Sequence, residues 1–239
     1  MMRISKIWIT FIILLFFFFI ANAPAQILKP YLKNSLNFPF TLSGTIWNGS
    51  IQSKYFNNVS WQINPLFLVL AKISIDMKAE VDNKNNIIAN AEITPFNKLE
   101  LKNIKGALTT QYLQKILPNM PFLISSNIFI IKANLSWKSQ LPPNLPFESN
   151  GSFLIKDVNF LGEQLGDYRF NFSYFNEGFD GNISSTVNSS VETAIKVNIS
   201  SQKILTISGE IIPKTIPLQS IFKELDINSK TNISIQLSY

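Results

Sequence analysis

Two neighbouring stretches decide the fold of this chain: Gly44-Thr45-Ile46-Trp47-Asn48-Gly49-Ser50-Ile51 and Val59-Ser60-Trp61-Gln62-Ile63-Asn64-Pro65-Leu66. In the first stretch, two glycines bracket a β-prone run that carries Trp47, which predicts a strand beginning at the first glycine and a bend at Asn48-Gly49. In the second stretch, a returning strand centred on Trp61 stops at Pro65, because proline cannot donate a hydrogen bond to a sheet ladder. We expect both tryptophans to anchor sheet packing rather than to stack on a ligand. An apolar run follows Pro65, so the pattern predicts the beginning of a β-domain that lies close to a membrane.

The composition excludes most catalytic chemistry. The 239 residues include no cysteine and no histidine, which removes the usual zinc and haem ligands, a thiol nucleophile, a Ser-His-Asp relay and any disulfide. No glycine-rich phosphate loop or dinucleotide fingerprint is present. Four acidic residues fall on the polar positions of alternating segments, where we expect solvated strand faces: Asp76, Glu80, Glu92 and Glu192. We therefore predict that the chain is not an enzyme and has no catalytic residue, no cofactor and no metal site.

Charge is low and dispersed. Charged residues make up 15% of the chain, against about 25% in an average soluble domain. The net charge is +6, but the lysines are scattered and form no basic block, so we do not expect nucleic-acid binding. An anionic membrane surface stays open as a partner.

The N-terminus has the pattern of a membrane segment. Arg3 and Lys6 precede an apolar block from Ile7 to Ala21, which predicts a cytoplasmic stretch at 1–6. Residues 7–25 are predicted to form a transmembrane anchor or, alternatively, a cleaved signal peptide, because small-x-small sites stand at the end of the block.

The remainder of the chain predicts strands. We divide it into a connector at 26–43 and a β-domain at 44–239, with a sub-boundary at the proline-rich segment 139–150. Alternation over residues 71–81 and 87–93, around a turn at 82–86, predicts a hairpin. Helical spacing predicts two short helices, Thr110 to Leu117 with Thr110 as the cap, and Pro217 to Leu225. The predicted fold is mainly β: an N-terminal transmembrane helix followed by a curved antiparallel sheet or sandwich with two short helices.

These features together resemble the type II secretion system protein N family. The resemblance rests on the basic-then-apolar N-terminus, on a short helix after a Gly106-Ala-Leu strand, on a turn at Leu161-Gly162, on a strand at Ser208-Gly209 and on the closing strand. Its most specific part is a set of six residues that we take as a structural or interaction site, the family motif: Gly44, Thr45, Trp47, Gly49, Trp61 and Pro65.

Membership of that family implies a single-pass protein of the bacterial inner membrane, with the N-terminus in the cytoplasm and the C-terminal domain in the periplasm. The implied partners are other inner-membrane components of the type II secretion system, a machine that exports folded proteins across the outer membrane. No catalytic activity is implied. The resemblance also favours a retained anchor over a cleaved signal.

Three functions follow from these observations. The first is a non-enzymatic secretion component whose β-domain contacts other secretion components through a strand edge or apolar groove. The second is a periplasmic lipid-binding protein whose AsmA-like hydrophobic β-groove holds phospholipid. The third, an outer-membrane β-barrel, rests on the alternate apolar residues that end at Tyr239. We rank it last because of the two helices and the proline-rich segment.

Overall fold

A computed structural model describes the backbone of residues 2–36, 38–94, 98–116, 124–138, 148–160, 162–175, 178–200, 204–224 and 230–236. Its helices are α1 (Met2–Ala21), α2 (Lys29–Ser35), α3 (Thr110–Ile116) and α4 (Ile216–Glu224), with two short 3-10 helices, Ala25–Leu28 and Pro65–Leu70. Its strands are β1 (Phe40–Gly44), β2 (Asn48–Ser53), β3 (Phe56–Ile63), β4 (Ile73–Glu80), β5 (Asn86–Ile93), β6 (Lys98–Thr109), β7 (Ile124–Lys138), β8 (Glu148–Phe160), β9 (Glu163–Phe175), β10 (Gly178–Ser185), β11 (Val191–Ile199), β12 (Ile204–Pro213) and β13 (Lys230–Gln236).

The described strands form one open antiparallel sheet in which every strand lies beside its neighbours in sequence, from β1 at one edge to β13 at the other. The prediction of a mainly β, antiparallel fold is confirmed. The hairpin predicted around residues 82–86 is also confirmed, as β4 and β5. Its turn is held by one oxygen of Asp82, which accepts hydrogen bonds from the backbone N–H groups of Lys84 and Asn85, both at 2.8 Å.

The sheet has one apolar face and one polar face. Residues that pair directly across neighbouring antiparallel strands lie on the same face. One such row runs Phe153, Phe170, Ile183 and Ile195 across β8 to β11. A row on the opposite face runs Asn134, Asn150, Ser173, Asp180 and Asn198 across β7 to β11.

Several bulges interrupt the ladder, and two of them are stabilised by side chains of the next strand. In β6 the register shifts between Leu101 and Ile104, and Asn103 there has a φ of +52°. Its N–H donates to Asn134 Oδ1 at 3.0 Å. In β8 the corresponding residue is Asp157, with a φ of +53° and an N–H that donates to Asp167 Oδ1 at 3.0 Å. Asn and Asp tolerate the left-handed region better than other non-glycine residues, and bulges bend a sheet locally.

Both predicted short helices are present, as α3 and α4, but the expected cap of α3 is wrong by one residue. Tyr112 N–H donates to Thr109 Oγ1 at 3.3 Å, so Thr109 is the residue that caps the helix. Thr110 is instead buried, and its Oγ1 accepts from Ser126 N–H at 2.9 Å. Thr110 therefore fastens α3 to β7. The ends predicted at Leu117 and Leu225 lie outside the described residues.

The N-terminal prediction needs a correction. α1 ends at Ala21, ahead of Pro24, and Asn22 closes it by donating from its backbone N–H to Phe18 O at 3.0 Å. In the described part of the chain no helix is both long and apolar enough to cross a membrane, so the transmembrane helix expected over residues 7–25 is not found. Most of the sub-boundary predicted at 139–150 lies outside the described residues.

Candidate functional site: the turn that joins α1 to the sheet

The strand predicted through Trp47 is wrong, because the first half of the family motif forms a tight turn. β1 ends at Gly44, which has a φ of +83°, and β2 begins at Asn48. Thr45 N–H donates to Asn48 O at 2.9 Å, and Asn48 N–H donates to Thr45 Oγ1 at 3.1 Å. A Cβ at Gly44 would collide with the carbonyl of Asn48. Glycine is needed here both for its positive φ and for this close approach. Thr45 and Asn48 suit a turn, because the short side chains of Thr and Asn can hydrogen-bond to nearby backbone groups. These residue types were the signal in the sequence for a turn at this place.

The turn binds the C-terminal end of α1. Trp47 Nε1 donates to Ile20 O at 2.8 Å, and Ile46 N–H donates to Ala23 O at 2.9 Å. Pro24 also forms an isolated antiparallel bridge with Thr45. The last carbonyls of an α-helix have no partner within the helix. The motif therefore supplies donors from the sheet to the carbonyls at and just after the end of α1.

Trp61 holds the other side of the same turn. Its Nε1 donates to Ile46 O at 2.9 Å. The Trp61 indole therefore binds the turn, and the Trp47 indole binds the turn to α1. The Trp61 ring lies directly over Gly49, where a Cβ would collide with the ring. Gly49 is thus required for the close packing of Trp61, and not for an unusual backbone angle.

The segment between α1 and β1 covers the first strands. Ala25 has no exposed surface and forms a buried cluster with Leu42 and Ile51. Partly buried residues pack against this cluster from both the connector and the strands: Leu28, Leu32, Leu36, Phe40, Phe56, Val59 and Trp61. In addition, Gln26 Nε2 donates to Leu42 O at 3.2 Å. The start of the sheet is consequently covered by its own chain.

Pro65 begins the 3-10 helix Pro65–Leu70 at the same end of the sheet. Asn64 Oδ1 caps this helix by accepting from Leu66 N–H at 3.0 Å. The end of β3 is linked to the motif turn, since Ile63 N–H donates to Trp47 O at 2.6 Å. The structure therefore brings all six predicted motif residues to one end of the sheet, around the end of α1.

A comparison with protein families identifies the family of the chain. The model of the type II secretion system protein N family matches residues 41–216, a range that contains the whole motif and β2 to β12. The chain belongs to this family. It is a component of the type II secretion system, and membership implies association with the cell envelope. No curated protein and no solved structure matches the chain.

A stack of phenylalanine rings lies on the apolar face of this protein N family member, far along the sheet from the motif. The rings of Phe153, Phe170, Phe172 and Phe179 stack in parallel, with neighbouring centroids 5.6–6.1 Å apart. All four side chains are half-buried. Gly151 contributes, because a Cβ there would collide with the Phe172 ring. Phe170 and Phe172 are two residues apart in β9 and therefore lie on one face, but their partners in β8 and β10 depend on the register of pairing.

The polar face carries a chain of ion pairs beside the motif end. Glu92 binds Lys72 at 2.7 Å and Lys102 at 2.8 Å. Glu100 binds Lys102 at 2.7 Å and also pairs with Lys98. Hydrogen bonds from Lys102 and then Lys72 lower the pKa of Glu92, and those from Lys102 and then Lys98 lower the pKa of Glu100. The same two carboxylates raise the pKa of Lys102.

The other acidic residues of β4 serve similar roles. Asp76 Oδ1 accepts from Asn90 Nδ2 at 2.7 Å, and Glu80 pairs with Lys78 at 2.5 Å. Among the described residues no group of three or more acidic side chains could hold a metal ion. The contacts of the motif turn join α1 to the first strands of the sheet.

Proposed function

We propose that this protein is a non-enzymatic component of the type II secretion system whose β-domain lies in the periplasm. In this proposal α1 attaches the domain to the inner membrane, and the outer edge of β13 pairs with another secretion component. The proposal rests on the family and on the contrast between the two edges of the sheet.

The connector packs on the edge strand β1. Gln26 Nε2 donates to Leu42 O, and Ala25 is buried against Leu42. Ala23 O and Pro24 bind Ile46 and Thr45, in the turn directly after β1. The edge at β13 differs: in the part of the chain that the structure describes, β12 lies on one side of it and no strand lies on the other. An uncovered strand edge presents backbone donors and acceptors to which a partner can add a strand. This contrast is the observation that carries the proposal.

Attachment through α1 is supported by the exposure of its apolar side chains. The large apolar side chains of α1 that the structure describes are exposed, and Phe16, Phe17, Phe18 and Phe19 are each more than 60% accessible. Burying such side chains in lipid is favourable by roughly 1.5–3 kcal/mol each. Alkaline carbonate extraction of membranes tests attachment. We expect the full chain in the pellet, and its release into the supernatant would contradict the proposal.

Site-specific photocrosslinking tests the edge. A photoreactive residue replaces Ser234 in β13 of the full chain, and a matched variant carries it at Thr41 in β1, the opposite edge strand. We expect Ser234 to crosslink to another secretion component and Thr41 to give no such product. Equal products from both positions, or secretion components captured from Thr41 alone, would refute pairing at β13.

Lipid binding is a second candidate, and the phenylalanine stack is the observation that favours it. The connector covers β1 to β3, whereas the four stacked rings keep part of their surface accessible. A row of apolar side chains on one sheet face can hold an acyl chain.

Native mass spectrometry of the full chain tests this second candidate. We expect a bound phospholipid mass that Phe172→Gln removes. Phe175→Gln is the matched control, since Phe175 lies on the same strand and points to the opposite face. Absence of phospholipid from the unmodified chain would eliminate this candidate.

A further inference from the structure

The 3-10 helix Pro65–Leu70 exposes two leucine side chains at the motif end of the sheet. Its sequence, PLFLVL, has no polar side chain. Leu66 is 75% exposed and Leu68 is 42% exposed. Exposure of these leucines to water is unfavourable, because the free energy falls when apolar surface is removed from water. A surface that buried these two side chains would be stabilised by them.

The backbone of this helix is already hydrogen-bonded within its own segment. Leu66 N–H donates to Asn64 Oδ1 at 3.0 Å, and Phe67 N–H donates to Asn64 O at 3.3 Å. At the other end, Ala71 N–H donates to Leu68 O at 2.9 Å; Lys72 N–H donates to Phe67 O at 3.1 Å. Backbone groups that enter lipid must be satisfied internally, because lipid tails offer no hydrogen bonds. The segment meets this requirement at both ends.

Its position points to the same membrane that would hold α1. Ile63, two residues before the helix, donates to Trp47 O at 2.6 Å, and Trp47 Nε1 donates to Ile20 O at 2.8 Å. Two hydrogen bonds and three residues, Asn64, Ile63 and Trp47, thus link the 3-10 helix to Ile20 in the last turn of α1. The 3-10 helix and the end of α1 are thus held by the same turn, and Phe19 near that end of α1 is 65% exposed.

The charges near the helix favour apolar insertion over electrostatic attraction. Lys72 follows the helix directly, but its ammonium binds Glu92 at 2.7 Å. Lys98, at the same end of the sheet, is paired with Glu100. A lysine that is already bound to a carboxylate contributes little attraction to anionic headgroups. Leucine side chains, in contrast, enter the interfacial region of any bilayer.

We propose that the 3-10 helix Pro65–Leu70 is a second membrane contact, which inserts Leu66 and Leu68 into the bilayer that holds α1. The contact would fix the end of the sheet against the membrane surface, while α1 alone would leave the sheet free to tilt about one attachment. This inference rests on the proposed attachment through α1, and the experiment separates the two.

The absence of cysteine from the chain permits single-cysteine labelling with no background thiol. The full chain is reconstituted into nanodiscs of phosphatidylethanolamine and phosphatidylglycerol and labelled with an environment-sensitive fluorophore at one of three positions. Leu66→Cys reports on the 3-10 helix, and Phe17→Cys reports on α1. Val187→Cys is the matched control, because Val187 is 97% exposed in the β10–β11 turn at the opposite end of the sheet.

We expect blue-shifted emission and quenching by lipid-borne quenchers at positions 17 and 66, and neither at position 187. The result at position 66 should persist in phosphatidylcholine nanodiscs and in high salt. Emission typical of water at position 66, with lipid quenching at position 17, would overturn the second contact and leave the proposed attachment through α1 intact. Emission typical of water at both positions would overturn the second contact and the attachment. Protection of position 66 only when other envelope proteins are present assigns the leucines to a protein partner and also overturns the inference.

Discussion

Replacing Gly49 by alanine should break the packing that closes the family motif. The added Cβ would collide with the ring of Trp61 and lie 2.7 Å from the carbonyl oxygen of Thr45. The ring cannot move away freely, because its Nε1 is bonded to Ile46 O at 2.9 Å. The substitution therefore forces either a displaced indole or a displaced turn.

The expected loss follows from three effects. Overpacking a well-packed site costs about 1–3 kcal/mol, and loss of the indole hydrogen bond costs about 0.5–1.5 kcal/mol. Replacing glycine inside a strand by alanine returns about 0.5–1 kcal/mol of chain entropy. We expect Gly49→Ala to lower the free energy of unfolding by roughly 2 kcal/mol, since the unfavourable effects outweigh the favourable one.

Urea titration followed by tryptophan fluorescence measures this loss. The control is Gly178→Ala in β10, where the nearest atom to a Cβ is Phe175 O at 3.4 Å, an ordinary contact. That variant should be unchanged or slightly more stable. In a Trp61→Ala background, Gly49→Ala should lose most of its effect, because the two sites would no longer collide. Equal midpoints for Gly49→Ala and Gly178→Ala would refute the packing argument.

Two further predictions concern the rest of the site. Trp47→Phe removes the donor to Ile20 O and should weaken the joint with α1 by about 0.5–1.5 kcal/mol. Hydrogen exchange should then be faster at the Ile46 amide and unchanged in the β4–β5 hairpin, and an unaltered Ile46 amide would contradict the assigned role. The lowered pKa values of Glu92 and Glu100 mean that these carboxylates stabilise the fold at neutral pH, and that this stability is lost as pH falls through their folded-state pKa values. The double variant Glu92→Gln, Glu100→Gln should therefore show a flatter decline of the urea midpoint between about pH 6 and about pH 3, whereas a decline as steep as that of the unmodified chain would place the acid sensitivity elsewhere.

The sequence predicted those parts of the fold that are determined by interactions between residues close together in the chain. The β4–β5 hairpin could be read directly, because alternation of period two determines which residues face the core and Asp82 supplies the acceptor for its turn. The two short helices could be read for the same reason. The cap at Thr109 was missed by one residue, since Thr109 and Thr110 are chemically equivalent in sequence. Only the contact of Thr110 with Ser126, on a distant strand, separates their roles.

The geometry of the motif depended on contacts that no local pattern contains. Trp47 sits on a β-prone run, yet its indole donates to a carbonyl 27 positions earlier in the chain. The phenylalanine stack likewise depends on the register of β8, which the bulge at Asp157 shifts. In both cases the sequence shows the residue types, but not their partners. The partner of Trp47 depends on where α1 lies, and the partners of the phenylalanines depend on the register of β8 against β9.

The spacing of the motif can now be explained by the joint it forms. Gly44 allows the chain to turn after β1. Trp47, in that turn, donates to Ile20 O, and Trp61, on β3, donates to Ile46 O. Gly49 must lack a side chain because the Trp61 ring occupies that space. Each residue acts on the same short turn, so a change at one weakens the hold of the others on α1. Hydrogen bonds at several points of one turn restrict the motion of α1 relative to the sheet, which a single flexible linker would not do.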